Sequence, residues 1–174
     1  MDKLTFDWRL KDMTARTFLI GFNKEPVGQL SFNDMWTFNA SYETGSSAIR
    51  FVETGFFRQR LSVKRQQKEI GTIDLKFFGT TTFTLEDRRV FTLTTNIFGR
   101  NMKWKNAQGD IVVELNQPTL RDLGRGTILT DARLDKEATD LLSASGLYIN
   151  NLTSKRIGRF IPILLILMGG LRLF

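Results

Sequence analysis

The stretch that decides the fold is FTLTTNIFGRNMKWKNAQGDIVVEL, residues 91–115. Apolar and polar side chains alternate through three parts of this region, at residues 90–95, 101–105 and 111–115. A period of two is typical of a strand with one buried face. The turn residues 96–99 separate the first two parts, and a Gly-containing hairpin loop separates the last two. We therefore predict three consecutive antiparallel strands.

The same alternation extends in both directions from this stretch. It begins at residues 4–10 and ends near residue 134, giving about a dozen short strands. Strands spaced by roughly 8–12 residues are typical of an all-β sandwich or barrel. Gly71, inside the predicted strand 69–77, indicates a bulge or a close backbone approach. No composition shift or low-complexity linker interrupts the chain, so we predict a single domain over residues 1–174.

The pattern changes after residue 134, where two helical segments are predicted within residues 136–171. Asp135 is suited to cap the first helix, residues 136–154, whose apolar residues recur at helical spacing. The second, FIPILLILMGGL at residues 160–171, is the only continuous apolar run in the chain. A helix that is apolar all round needs burial on all sides, and a closed sheet would provide it. We therefore predict a mainly-β fold, a closed antiparallel barrel of about twelve strands with a hydrophobic C-terminal helix in its centre.

Which helix occupies the centre is left open by the sequence. Residues 160–171 would form a helix about 18 Å long, whereas the hydrocarbon core of a bilayer is about 30 Å thick. Length therefore favours burial over spanning. Residues 136–154 carry the small residues Ala144, Ser145 and Gly146 in their middle and compete for the same place.

A membrane tether is the alternative for the C-terminal segment. Lys155, Arg156 and Arg159 precede the apolar run, as cations often do beside membrane-associated segments. In this alternative residues 157–174 anchor the protein, and the β domain is a head that binds a partner. If residues 136–154 fill the barrel, anchoring or partner docking becomes the better interpretation of residues 160–171.

The chain contains no Cys and no His, which removes several classes of chemistry. Disulfides, thiolate nucleophiles, zinc–thiolate sites and imidazole-dependent catalysis are excluded. No nucleotide-binding motif is present, so we expect a non-catalytic protein without a cofactor or metal. The N-terminus MDKLTFDWRL has no apolar signal-peptide core, so we expect a cytoplasmic protein. If the protein binds membranes, we expect it to be peripheral at the membrane.

The formal net charge is +7, and cations are concentrated in particular segments. The best candidate for anion binding is a basic block between Glu53 and Glu69, which contains Arg58, Arg60, Lys64, Arg65 and Lys68. A basic strand face can hold a phosphoinositide headgroup or another anion through charge-assisted hydrogen bonds. The predicted partner is therefore anionic membrane lipid or an acidic protein. A solvated strand face that protects the sheet from edge pairing is the competing interpretation.

A second cluster mixes basic and aromatic residues: Arg100, Lys103, Trp104 and Lys105. Such mixtures occur at sites for single-stranded nucleic acid. Trp104 alternates with the two lysines, however, as a core residue should. No recognised nucleic-acid-binding signature accompanies it, so nucleic acid is not an expected partner.

The succession GFNKEPVGQLSF, EIGTIDLKFFG, FTLTTNIFGRNMKWKNAQGDIVVEL and FIPILLILM resembles the tubby C-terminal-like superfamily. That superfamily includes the tubby proteins, the phospholipid scramblases and the LURP-one-related proteins. The resemblance covers most of the chain and is one of pattern, without a diagnostic motif. It implies a closed antiparallel barrel around a hydrophobic helix, and an accessory or binding role near anionic lipid. The chain has no calcium-loop pattern, so scramblase activity is not implied.

Overall fold

The computed structural model describes residues 2–12, 17–33, 39–45, 47–54, 59–76, 80–95, 101–118 and 124–152. Within these ranges it contains twelve strands and one helix, α1, at residues 136–152. The strands are β1 (Lys3–Leu10), β2 (Thr17–Phe22), β3 (Glu25–Phe32), β4 (Ala40–Thr44), β5 (Ala48–Thr54), β6 (Arg60–Arg65), β7 (Lys68–Asp74), β8 (Thr81–Leu85), β9 (Val90–Thr95), β10 (Asn101–Lys105), β11 (Ile111–Asn116) and β12 (Arg125–Asp131).

The strands form a closed antiparallel barrel in sequence order. Each strand pairs with its neighbours along the chain, and β1 also pairs with β12, which closes the sheet. The predicted fold class is thereby confirmed. A barrel of about eight strands can be filled by its own side chains, so twelve strands enclose more space than they can fill alone.

Helix α1 fills that space. Among its residues, only Lys136 and Glu137 are exposed, and every residue from 141 to 152 is buried. Of the two segments that competed for the centre, the first supplies the helix inside the barrel, at residues 136–152. The apolar run 160–171 lies outside the described residues.

Close packing positions α1 against the wall. The ring of Tyr148 stacks on Phe32 and Phe51, with ring centroids 5.5 and 5.2 Å away. On the other side Gly146 faces Leu115 and Trp104, and a Cβ atom at Gly146 would lie 2.6 Å from Leu115 Cδ1. The small residue lets the helix approach a wall that carries a buried Trp.

The direction of α1 distinguishes the two ends of the barrel. We call the end where α1 begins the upper end; there Asp135, before the helix, contacts Arg89 in the β8–β9 hairpin. At the lower end, the side-chain amide of Asn150 donates to Gln117, which follows β11, at 3.4 Å. The upper connections are short and polar, including residues 23–24, 66–67 and 86–89.

The structure corrects details of the predicted strands. Strand β7 begins at Lys68 and ends at Asp74, three residues before the predicted end at residue 77. The register of β6 and β7 shifts between Val63 and Lys64, opposite Gly71, which confirms the bulge. Strict alternation would put Ile70 on the same side of β7 as Thr72 and Asp74, but Ile70 is buried because the bulge changes the facing of the chain.

Replacing Gly146 by Val is expected to destabilise the barrel, because the branched side chain would overlap Leu115. Overpacking of this kind costs about 1–3 kcal/mol. The free energy of unfolding, measured by urea denaturation, should fall by that amount. The matched control is Gly45→Val, since Gly45 is exposed and nothing lies within 4 Å of the position that a Cβ atom would take there. Equal stability of the two variants would contradict the packing described for α1.

Candidate functional site

The basic block does not form one open cationic face. Arg60 Nε lies 3.4 Å from Asp74, and Arg65 Nη2 lies 2.8 Å from Glu137. Lys68 Nζ lies 2.5 Å from Glu86. Exposed ion pairs contribute only about 0–1 kcal/mol, so these contacts are weak, but they neutralise three of the predicted cations.

The block is also divided between the two ends of the barrel. Arg60 begins β6 at the lower end, whereas Arg65 and Lys68 flank the β6–β7 hairpin at the upper end. Lys64 shares the outward facing of Arg60 and lies opposite Glu69 in β7. Arg58 lies outside the described residues. The predicted anion site therefore remains a proposal that only part of the block can support.

A cation that the sequence analysis did not select completes a different group. Arg50 of β5 is exposed and lies directly opposite Lys64 of β6. At the upper end beside this pair is an open cavity of about 400 Å³, lined by Ser47, Ala48, Arg50, Arg65, Gln66 and Gln67. Arg50 stands 14 positions before Lys64, and only the strand register could have shown that the two are neighbours.

The start of α1 is held by a charged network. The carboxylate of Asp135 accepts the backbone N–H of Ala138 at 2.8 Å, which confirms the predicted cap. Arg89 bridges Asp135 and Asp87. Partial burial acts to raise the pKa of Asp135, but the hydrogen bonds from Ala138 and Arg89 outweigh it and keep that pKa low. The network ties the helix to the β8–β9 hairpin.

A second contact to α1 joins two titratable groups. The buried hydroxyl of Tyr42 donates to the carboxyl of Asp140 in α1. Burial, followed by the nearby charge and hydrogen bond of Asp140, raises the pKa of Tyr42 and keeps the phenol protonated. Burial also raises the pKa of Asp140, and the opposing effects of Lys136, Tyr42 and Arg65 do not cancel it. The Tyr42 hydroxyl occupies the space above Gly28, where a Cβ atom would overlap it.

Three further observations concern Trp104, acidic side chains and helix length in the described part of the chain. Trp104 is fully buried against Phe83, as predicted, so its ring cannot stack on a nucleic-acid base at the surface. Across the described ranges, no group of three acidic side chains is placed to hold a metal ion. Among the same residues, no helix is long and apolar enough to cross a bilayer. The expectation that the protein is not an enzyme stays a prediction.

Comparison with known proteins found no matching family model, no matching curated protein and no matching solved structure. The resemblance to the tubby C-terminal-like superfamily therefore stays a prediction. Any functional interpretation depends on the geometry of the described residues and on the sequence.

Asp140→Asn is expected to stabilise the protein at neutral pH. The raised pKa of Asp140 means that folding favours its protonated form. The contribution of Asp140 to the free energy of unfolding is therefore most favourable below pH 3.8, the pKa of an Asp in the unfolded chain. This contribution is lost as the pH rises through the pKa of Asp140 in the folded protein. Asn cannot ionise and can still accept the Tyr42 hydroxyl. The gain in unfolding free energy should be present at pH 7 and shrink towards pH 3.

The control for this measurement is Asp2→Asn, which removes a carboxylate from an exposed residue. Unfolding free energies of the three proteins should be compared across the pH range by urea denaturation. If Asp140→Asn gains no stability at pH 7 relative to the wild type, the proposed effect of burial on Asp140 is wrong.

Proposed function

We propose that the chain is a non-catalytic binding module whose barrel is held at a membrane by residues 157–174. The observation that carries this proposal is the position of α1. Residues 141–152 are buried inside the barrel, and Asn150 contacts Gln117 at the lower end. The place that an all-round apolar helix would need inside the sheet is therefore filled by a different segment. The apolar run 160–171 follows from the lower end after only a few residues.

An interfacial attachment fits this segment better than a bilayer span. At about 18 Å, a helix of residues 160–171 is too short for a hydrocarbon core of about 30 Å. Cations lie on both sides of the run: Lys155, Arg156, Arg159 and Arg172. Cations beside an apolar segment attract anionic headgroups, at about 1 kcal/mol for each Lys or Arg near the surface. Anionic lipid is the membrane component that this arrangement favours.

The sequences that join strands at the lower end support the same orientation. The described ends of β9 and β10, Thr95 and Asn101, are joined by NIFGR, residues 96–100. The connections 34–38 and 55–58 read DMWTF and GFFR. These residues lie outside the described ranges, but the strand ends that they join lie at the lower end. The upper connections, by contrast, are short and polar.

The resemblance to the tubby C-terminal-like superfamily implies an accessory role near anionic lipid, in agreement with this proposal. The basic block gives a second route to anionic lipid, although Arg60, Arg65 and Lys68 each have a carboxylate partner. We assign attachment to the lower end and leave the upper end free to bind a partner.

Deletion of residues 157–174 tests the attachment. The described core ends at residue 152, so the truncated protein should keep its cooperative unfolding and the near-ultraviolet circular dichroism of its buried Trp residues. Its sedimentation with vesicles containing phosphatidylserine should fall by at least about tenfold, because burial of apolar side chains contributes about 1.5–3 kcal/mol each.

A full-length variant, Leu164→Asp with Leu167→Asp, keeps the segment but makes it less apolar, and so tests whether binding depends on the apolar side chains. It should also lose vesicle binding while the barrel stays folded. The double variant Arg60→Glu with Lys64→Glu should reduce binding much less. If the truncated chain unfolds, or if it binds vesicles as the wild type does, the proposed tether is wrong.

A further inference from the structure

The cavity between the β4–β5 and β6–β7 connections is not needed by the proposed tether. It lies at the upper end, with Ser47 and Ala48 on one side and Gln66 and Gln67 on the other. Helix α1 has 17 residues, from 136 to 152, and is therefore about 25 Å long at 1.5 Å per residue. The cavity is thus separated from the lower end by most of the height of the barrel.

Two of the cations beside the cavity face each other across the sheet. Arg50 and Lys64 lie directly opposite each other on β5 and β6. Like charges in directly opposed positions destabilise a sheet. Glu69, the nearest carboxylate in register with Lys64, accepts hydrogen bonds from Ser62 and Thr72. An anion bound beside Arg50 would relieve this repulsion.

Two hydrogen-bonding groups of the cavity lining also lack partners. Among the described residues, neither the Nε atom of Arg65 nor the hydroxyl of Ser47 has a hydrogen-bond partner, although both atoms are buried. A buried polar group without a partner costs roughly 1–3 kcal/mol. Neighbouring atoms cover both groups, so a ligand would contact Arg65 through the exposed part of its side chain and would reach the Ser47 hydroxyl only after a change of the Ser47 rotamer. Both residues are partly exposed, which permits such a change.

The guanidinium group of Arg65 is already oriented. Its Nη2 atom donates to Glu137 in α1 at 2.8 Å, which fixes one edge of the group at the mouth of the barrel. Gln66 follows in a left-handed conformation, with φ of 56°, which non-glycine residues seldom adopt. This tight hairpin places Gln66 and Gln67 in the lining of the cavity together with the two arginines.

From these observations we propose that the cavity binds the phosphate group of a small soluble ligand. Arg50 and Arg65 contact the phosphate oxygens, and the Ser47 hydroxyl donates a third hydrogen bond. The described lining of the cavity contains two arginines and no carboxylate, which suits it to an anion. The choice of a soluble ligand over a lipid headgroup rests on the proposed function, which places the membrane at the opposite end.

The test is a titration of the full-length protein, in an uncharged detergent, with inorganic phosphate and with glycerol 3-phosphate. Binding is followed by nuclear magnetic resonance through the arginine Nε–H signals and the side-chain amides of Gln66 and Gln67. Sodium chloride at equal ionic strength is the reference. We expect saturable shifts with both phosphates and none with chloride. Arg50→Ala should weaken binding at least tenfold, whereas Arg9→Ala, an exposed arginine on β1, should leave it unchanged.

Vesicles of phosphatidylcholine with phosphatidylinositol 4-phosphate form the second arm. Arg50→Ala should bind these vesicles as the wild type does. If Arg50 is needed for vesicle binding while neither soluble phosphate binds, the ligand is a lipid headgroup and the assignment to a soluble ligand is wrong. If the shifts are equal in the wild type and Arg50→Ala, or if chloride reproduces them, the cavity is not a phosphate-binding site. None of the described lining residues falls within 157–174, so the titration can be repeated on the truncated protein, and failure of the tether and failure of this site are separately visible.

Discussion

The packing of α1 inside the closed sheet is the interaction on which the remaining structure depends. Twelve strands cannot fill their own interior, and a helix buried from residue 141 to residue 152 supplies the missing apolar volume. Tyr148 provides a wide surface against Phe32 and Phe51, while Gly146 lets the opposite wall come close. At the upper end, Asp135 and Asp140 bind the start of the helix to the barrel through Arg89 and Tyr42.

The number and order of the strands followed from the sequence because alternation reports directly on burial. Trp104 between Lys103 and Lys105 is a clear instance, and its complete burial agrees with the prediction. The burial of Ile70 does not follow from alternation because a bulge interrupts the period of two, although Gly71 marked the place of that bulge. The choice between two helices was undecided because hydrophobicity ranks residues 160–171 first. Residues 136–152 have the shape that fits the interior, because Gly146 lets the helix lie close to Leu115 and Trp104 of the wall.

The candidate sites were harder to predict from the sequence than the fold was. The basic block read as one face because its cations are close along the chain. Their neighbours across the sheet decide their surroundings, and those neighbours depend on register: Asp74 lies opposite Arg60. Glu137 reaches Arg65 only through the entry of α1 into the barrel. For the same reason Arg50 was not selected, since its place opposite Lys64 is a property of the folded sheet.

In the proposed function the two ends of one barrel have different roles, with partner binding at the polar upper end and membrane attachment at the lower end. Both roles require that α1 is a permanent part of the core. Hydrogen exchange measured residue by residue tests this most directly. The amides of residues 141–152 should exchange only through global unfolding, as slowly as those of the central strands. Exchange of these amides well before the strands would show that the helix leaves the barrel while the sheet stays closed, and would contradict the account.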